Sequence, residues 1–233
     1  MMKRIFFIIA LLALTAGMLH FGIWPINDPP LPVKGVDVSH YQGEIDWPRL
    51  ASQNVSFAYI KATEGSGSVD GRFAENLRGA TAAGLPVGAY HFFSYDSPGA
   101  SQAEHFIETV PDLPLPPVID VEFYGDYARH PADPEIVRRE LWDMADRLEA
   151  HYCRVPMLYA TGRSYRLYIR GTALENLPIW IRDVYGVPGG DWALWQYSDR
   201  GRLKGYDGDT PYIDLDVFNG DRASFEAWAG ISQ

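Results

Sequence analysis

From Lys34 onward the chain alternates short apolar runs with stretches whose apolar residues recur every three or four positions. The runs predict strands over residues 35–38, 57–61, 87–93, 118–122, 157–159, 179–181, 193–196 and 213–218. Runs this short and this apolar suit strands buried on both faces, as in a parallel sheet. Between several of them lie helical patterns. Asp133-Pro134-Glu135 reads as an N-cap followed by proline in the first helical position. From there Ile136, Val137, Leu141, Met144, Ala145 and Leu148 form one apolar stripe that ends near His151. Further helices are predicted over 72–83, stopped by Gly84, over 99–110 and over 223–229. Strands alternating with helices imply βα units. The predicted fold is therefore α/β: a single, TIM-barrel-like β/α barrel over 34–233, irregular in its second half, where helices are short or missing. No internal repeat, low-complexity tract or second domain interrupts it.

The first 33 residues follow a different pattern. Met1-Met2-Lys3-Arg4 precedes an uncharged, mostly apolar run from Ile5 to Pro25. A basic start before an apolar run is the layout of a secretory signal, and the run is long enough to span a bilayer. Residues 1–25 read as a signal peptide or a retained signal anchor, with Leu14-Thr15-Ala16 a weak cleavage site. Either way the basic residues stay cytoplasmic and the rest is exported, secreted or periplasmic, with the inner membrane as the site of an uncleaved anchor. Residues 26–33 carry three of their four neighbouring prolines, Pro29, Pro30 and Pro32, and read as a stiff linker.

Composition narrows the function. A formal charge of −10 is a poor match to nucleic acid, which needs a basic footprint. One cysteine, Cys153, allows neither an intrachain disulfide nor a multi-thiolate metal site. The 6 histidines lack metal-ligand spacing, and H-E-x-x-H, G-x-S-x-G and G-x-x-x-x-G-K are all missing, so no metal or cofactor is expected. Nothing suggests more than a monomer, whose membrane contact is the N-terminal segment alone.

The chemistry lies at the strand ends. Pro117-Val118-Ile119-Asp120-Val121-Glu122 is an apolar strand that closes on two acids two residues apart. Such residues point to one face, about 6–7 Å apart at Cα. Two carboxyls aimed at one spot suit glycosidic hydrolysis, one giving a proton and the other supporting the sugar cation; an acidic, solvated strand end is the plain alternative. Other predicted strands end likewise: Asp37, Lys61 with Glu64, Tyr90 with His91, Tyr159, Trp180 with Arg182, Trp195 with Gln196, and Asp214 with Asp216. In β/α barrels the C-terminal strand ends build the active site.

In order, the segments Val36-Asp37-Val38-Ser39-His40-Tyr41-Gln42-Gly43, Ile60-Lys61-Ala62-Thr63-Glu64-Gly65, Gly88-Ala89-Tyr90-His91-Phe92-Phe93, Asp120-Val121-Glu122, Trp195-Gln196-Tyr197 and Ile213-Asp214-Leu215-Asp216-Val217-Phe218 resemble glycoside hydrolase family 25, the Chalaropsis-type lysozymes. The resemblance spans 34–220. It implies a β/α barrel that cleaves the β-1,4 bond between N-acetylmuramic acid and N-acetylglucosamine, with peptidoglycan glycan strands as its partner. By position, Glu122 matches the general acid, Asp120 its partner carboxylate, Asp37 the first-strand aspartate and Asp214 the late aspartate. Tyr90, Tyr159, Trp180 and Gln196 fall where the family lines its sugar subsites. The partner carboxylate could be a nucleophile, a base for water, or a support for the substrate's own N-acetyl group; the resemblance favours the last, substrate-assisted route. Crowding by Asp37, Asp120 and Asp214, with partial burial, should raise the Glu122 pKa. Asp216 stands where the family more often has Asn, which would add a charge near the cleft. Arg182 stands where a small residue is usual, and would pair with Asp214 or Asp216 or meet a substrate carboxylate. Two rival readings are a silent peptidoglycan-binding protein and a hydrolase of another acetamido glycan such as chitin.

Overall fold

The computed structural model of the chain describes residues 28–231. Nine strands form one sheet: β1 (Lys34–Val38), β2 (Phe57–Glu64), β3 (Ser68–Val69), β4 (Val87–Phe92), β5 (Val118–Val121), β6 (Met157–Thr161), β7 (Ile179–Arg182), β8 (Leu194–Gly201) and β9 (Ile213–Phe218). β1 pairs with both β2 and β9, so eight strands close into a barrel, and β3 is a two-residue ribbon on β2. The helices are α1 (Trp47–Ala51), α2 (Phe73–Ala82), α3 (Gly99–Thr109), α4 (Pro134–Tyr152), the single turn α5 (Gly162–Ser164) and α6 (Arg222–Ala229). No helix links β7 to β8 or β8 to β9. The irregular second half expected from the sequence is therefore real.

One strand departs from the expected parallel barrel. β9 runs antiparallel to both β8 and β1, whereas the other barrel neighbours are parallel. With no helix to carry the chain back, the β8–β9 connection returns as a hairpin, which forces the antiparallel sense. Asp214 is thus at the start of β9, not its C-terminal end. Because the strand is reversed, that start lies at the same mouth, opposite Asp37 in register.

Two cores hold the barrel. The outer one lies between strands and helices. α4 contributes Val137, Leu141, Met144, Ala145 and Leu148, the stripe read from the sequence; Ile136 is exposed instead. Its start is fixed as expected, with Asp133 accepting from the Glu135 N–H at 2.8 Å and Pro134 in the first turn. Its end is at Cys153, which adopts a left-handed φ of 52°. The inner core fills the barrel with Phe57, Tyr59, Val118, Met157, Trp180, Leu194 and Phe218. α6 closes the floor by packing Phe225 on Phe57 and on Phe218, each at a ring separation of 5.4 Å.

Large inner rings need empty neighbours. Tyr59 pairs with Gly88 across β2 and β4, and a Cβ on Gly88 would come within 2.2 Å of the Tyr59 ring. That ring packs 5.0 Å from Trp180, and its hydroxyl donates to the Pro116 carbonyl at 3.2 Å. Gly88→Ala is expected to destabilise the protein by about 1–3 kcal/mol, read by urea unfolding, because the ring must leave its slot.

The apolar segment 1–25, read as a signal or anchor, lies outside the described residues, as do the first two residues of 26–33. Among the described residues no helix is long and apolar enough to cross a membrane. Val33 already belongs to the inner core, and its carbonyl accepts from the Phe218 N–H at 3.0 Å.

Candidate active site

The barrel's open end holds a cavity of about 230 Å³. The strand period explains who lines it. Asp37 on β1, Lys61 on β2, Tyr90 on β4, Asp120 on β5, Tyr159 on β6, Trp180 and Arg182 on β7, Gln196 on β8 and Asp214 on β9 all border it, with Glu122 one residue past β5. All eight site residues expected from the sequence therefore meet around one space. His91, adjacent to Tyr90, points the other way and is buried beneath α3. Its Nδ1 meets Thr63 at 2.7 Å and its Nε2 meets Gln102 at 2.9 Å, and burial lowers its pKa to about 4. It is a neutral structural histidine.

The floor is a hydrogen-bonded chain. Tyr159 donates its hydroxyl proton to Gln196 Oε1 at 2.9 Å, and Gln196 Nε2 donates to Asp37 Oδ2 at 2.8 Å. This fixes the amide orientation of Gln196 and holds Asp37 in place. Trp180 is 1% exposed, so it borders the cavity as floor. It meets Tyr159 edge-on at 5.0 Å, and its Nε1 donates to Asp216 Oδ1 at 2.9 Å.

The sequence placed a charge at Asp216; the structure corrects this. Asp216 is fully buried below the cleft, beside Asp37. Burial first, and then the Asp214 charge, raise its pKa well above the usual carboxylate range, which disfavours the charge there. Arg182 is also corrected. Its Nη2 donates to Asp199 Oδ2 at 2.5 Å, rather than to Asp214 or Asp216. Asp199 lies three residues beyond Gln196, an odd spacing that should point it outward. The β8–β9 register shifts between Gln196 and Ser198, and this bulge returns Asp199 to the cavity side. The predicted strand ends at 196 and bulges leave no clear mark in sequence, so Asp199 is not among the residues expected at the site. Tyr41 and Phe92 also line the cavity and were missed. In the Ser39–Gln42 motif, Ser39 and Gln42 cap each other locally: the Ser39 N–H donates to Gln42 Oε1 at 2.9 Å.

Five acids line the cavity, so their protonation decides what the site can do. Burial is the main cause for each of the four at its centre. Asp37 is raised well above the usual range by burial and then by Asp216. Asp120 is raised well above it by burial and then by Glu122. Asp214 is pushed up to about 9 by burial and then by Asp37. Glu122 is raised by burial, while the nearby Tyr159 hydroxyl and the Arg182 charge hold the rise down. Of the two sequence-based reasons for a raised Glu122, burial is the cause, and crowding by Asp37, Asp120 and Asp214 is not among its causes. Asp120 and Glu122 lie close enough that the charge of one raises the other, so the two titrate as a pair. Among the described residues no group of His, Cys, Asp and Glu is placed to hold a metal ion.

A barrel with paired carboxyls on one inner strand end, further buried acids around them and an aromatic floor defines a class: the β/α-barrel glycoside hydrolases. The model of the glycosyl hydrolases family 25 matches residues 36–206. Lysozyme M1 of Streptomyces globisporus is 35% identical over 213 residues, covering 84% of this chain and 71% of that protein. The N,O-diacetylmuramidase of Chalaropsis sp is 30% identical, covering 80% of this chain and 96% of that one. A solved family 25 glycosyl hydrolase from Bacillus anthracis superposes with a TM-score of 0.82 at 47% identity, covering 87% of this chain and 96% of the other. The chain belongs to glycosyl hydrolases family 25, the lysozyme family, and is a glycoside hydrolase.

Proposed function

We propose that this protein is an N-acetylmuramidase that cleaves the β-1,4 bond between N-acetylmuramic acid and N-acetylglucosamine in peptidoglycan, with Glu122 as general acid. The observation that carries the reading is the Asp120–Glu122 pair at the inner end of β5, in a cavity where burial raises the pKa of both. Names of similar proteins, a lysozyme and an N,O-diacetylmuramidase, support the substrate class.

Glu122 is the member of the pair nearer the mouth and less buried than Asp120. It gives its proton to the glycosidic oxygen as the bond breaks. Asp120 then faces the sugar's developing positive charge and its 2-acetamido group. As a carboxylate it polarises the amide N–H, so that the acetamido oxygen can attack the anomeric carbon, the substrate-assisted route. Asp37, fixed by Gln196 and Tyr159, and Asp214 shape the wall that holds the sugar ring. Tyr90, Tyr159, Trp180 and Gln196 form the surface against which it rests.

Substrate choice tests the reading against a chitin-type hydrolase. Turnover on purified peptidoglycan is expected to exceed that on N-acetylglucosamine oligomers by at least about tenfold, since a lactyl-bearing sugar makes contacts the plain sugar lacks. Equal or faster chitin turnover would overturn the muramidase assignment and leave the hydrolase class intact.

A further inference from the structure

Two cations line this acidic cavity, on different walls. Lys61 is already engaged: its Nζ bonds Glu64 at 2.7 Å and lies 4.8 Å from the centre of the Phe92 ring. Arg182 differs. It is the last residue of β7, two beyond Trp180 on the same inner face, so it rises from floor to rim. Its Nη2 bonds Asp199, and the guanidinium makes no other hydrogen bond among the described residues. The side chain is part-buried and borders the cavity together with Glu122 and Tyr159.

A guanidinium is a planar fork with five donors. Bound to one carboxylate, it keeps a second edge. Asp199 fixes the plane, and the cavity is where the remaining donors find partners. The need for such a group is electrostatic. Acids dominate the rest of the lining and none of them can donate a charge-assisted bond to an anionic substituent on the incoming sugar, and Lys61 is committed elsewhere.

On the muramidase reading, we infer that Arg182, held by Asp199, is the receptor for a carboxylate carried on the glycan beside the bond that is cleaved. Two sources share this chemistry: the lactyl acid of strands stripped of peptide, and the carboxylates of the stem peptide. A different role, in which Arg182 only lowers the proton affinity of Glu122, uses the same position and must be separated from it.

The test uses the exported protein, its Arg182→Gln, Arg182→Lys and Asp199→Asn variants, and three probes. These are intact peptidoglycan, peptide-stripped glycan, and each of the two after carbodiimide conversion of its carboxyls to amides. The wild type is expected to favour the acid over the amide form by about tenfold in kcat/KM, the size of one charge-assisted hydrogen bond. Arg182→Gln should bring that ratio to about one, through KM. Arg182→Lys should keep a fraction, and Asp199→Asn should weaken it. A preference confined to intact peptidoglycan identifies the stem carboxylates, and one present on stripped glycan identifies the lactyl acid. Arg182→Gln lowering kcat alike on acid and amide forms, with a displaced pH optimum, would overturn the inference in favour of the tuning role. Equilibrium binding of the acid and amide glycans to Glu122→Gln, with and without Arg182→Gln, needs no turnover. No reducing ends from any probe would sink the hydrolase reading, whereas equal binding of both forms would sink the Arg182 inference.

Discussion

Glu122→Gln is expected to lower kcat on peptidoglycan by about 10²–10⁴-fold, the usual contribution of a positioned general acid. Glutamine keeps the shape and the contact with Tyr159 but cannot release a proton to the glycosidic oxygen. Glycan binding should change little, because the ground state does not need that proton. Folding should not suffer either, since the substitution removes an acid that burial already disfavours in its charged form. The wild-type rate should fall on the alkaline side as the Asp120–Glu122 pair loses its last proton, at a pH above the ordinary glutamate value. Initial rates of reducing-end release across pH check both points. A variant within about threefold of wild type would move the acid's role elsewhere.

Asp214→Asn is expected to stabilise the fold, and increasingly so as pH rises. Asp214 is pushed up to about 9 in the folded protein, against about 3.9 in an unfolded chain. A carboxyl with a raised folded pKa lends its full stability below the unfolded value and loses it as pH climbs toward the folded one. Asparagine has no such dependence. Its advantage should be near zero at pH 4 and on the order of 5 kcal/mol by pH 8. Urea unfolding at both pH values reads this directly. Asp37, Asp120 and Asp216 are raised in the same direction, so the wild type should lose stability over the neutral-to-alkaline range faster than a protein with solvated acids. Turnover should fall in the same variant, since the site stores its acids at the expense of stability. Parallel stability curves for the two proteins would show that Asp214 is solvated.

How much of this was visible in the chain follows from which signals are local. Strand positions and the start of α4 are set by nearby residues, and Asp133-Pro134 marks that start unambiguously. The inner acids were legible because period-two counting works along regular strands such as β5. It failed at β8, where the bulge after Gln196 hid Asp199. It also could not give the direction of β9, because a hairpin return and a helical crossover look alike when the linking segment carries no pattern. The state of Asp216 was illegible for another reason. Whether an aspartate is charged depends on depth below the cleft and on Trp180 Nε1, a contact between residues 36 apart in sequence. Arg182 was singled out by its unusual place, but its partner lay beyond the predicted end of the strand at 196, in the part of β8 that follows the bulge.

The central claim is that the carboxylates at the barrel mouth cut between muramic acid and glucosamine, leaving muramic acid at the new reducing end. The most direct test digests purified peptidoglycan with residues 33–233, reduces the products with borohydride and identifies the reduced sugar by mass spectrometry. The account predicts muramitol-ended fragments from the wild type and none above background from Glu122→Gln. Glucosaminitol-ended fragments, or muramitol released equally by the variant, would contradict it.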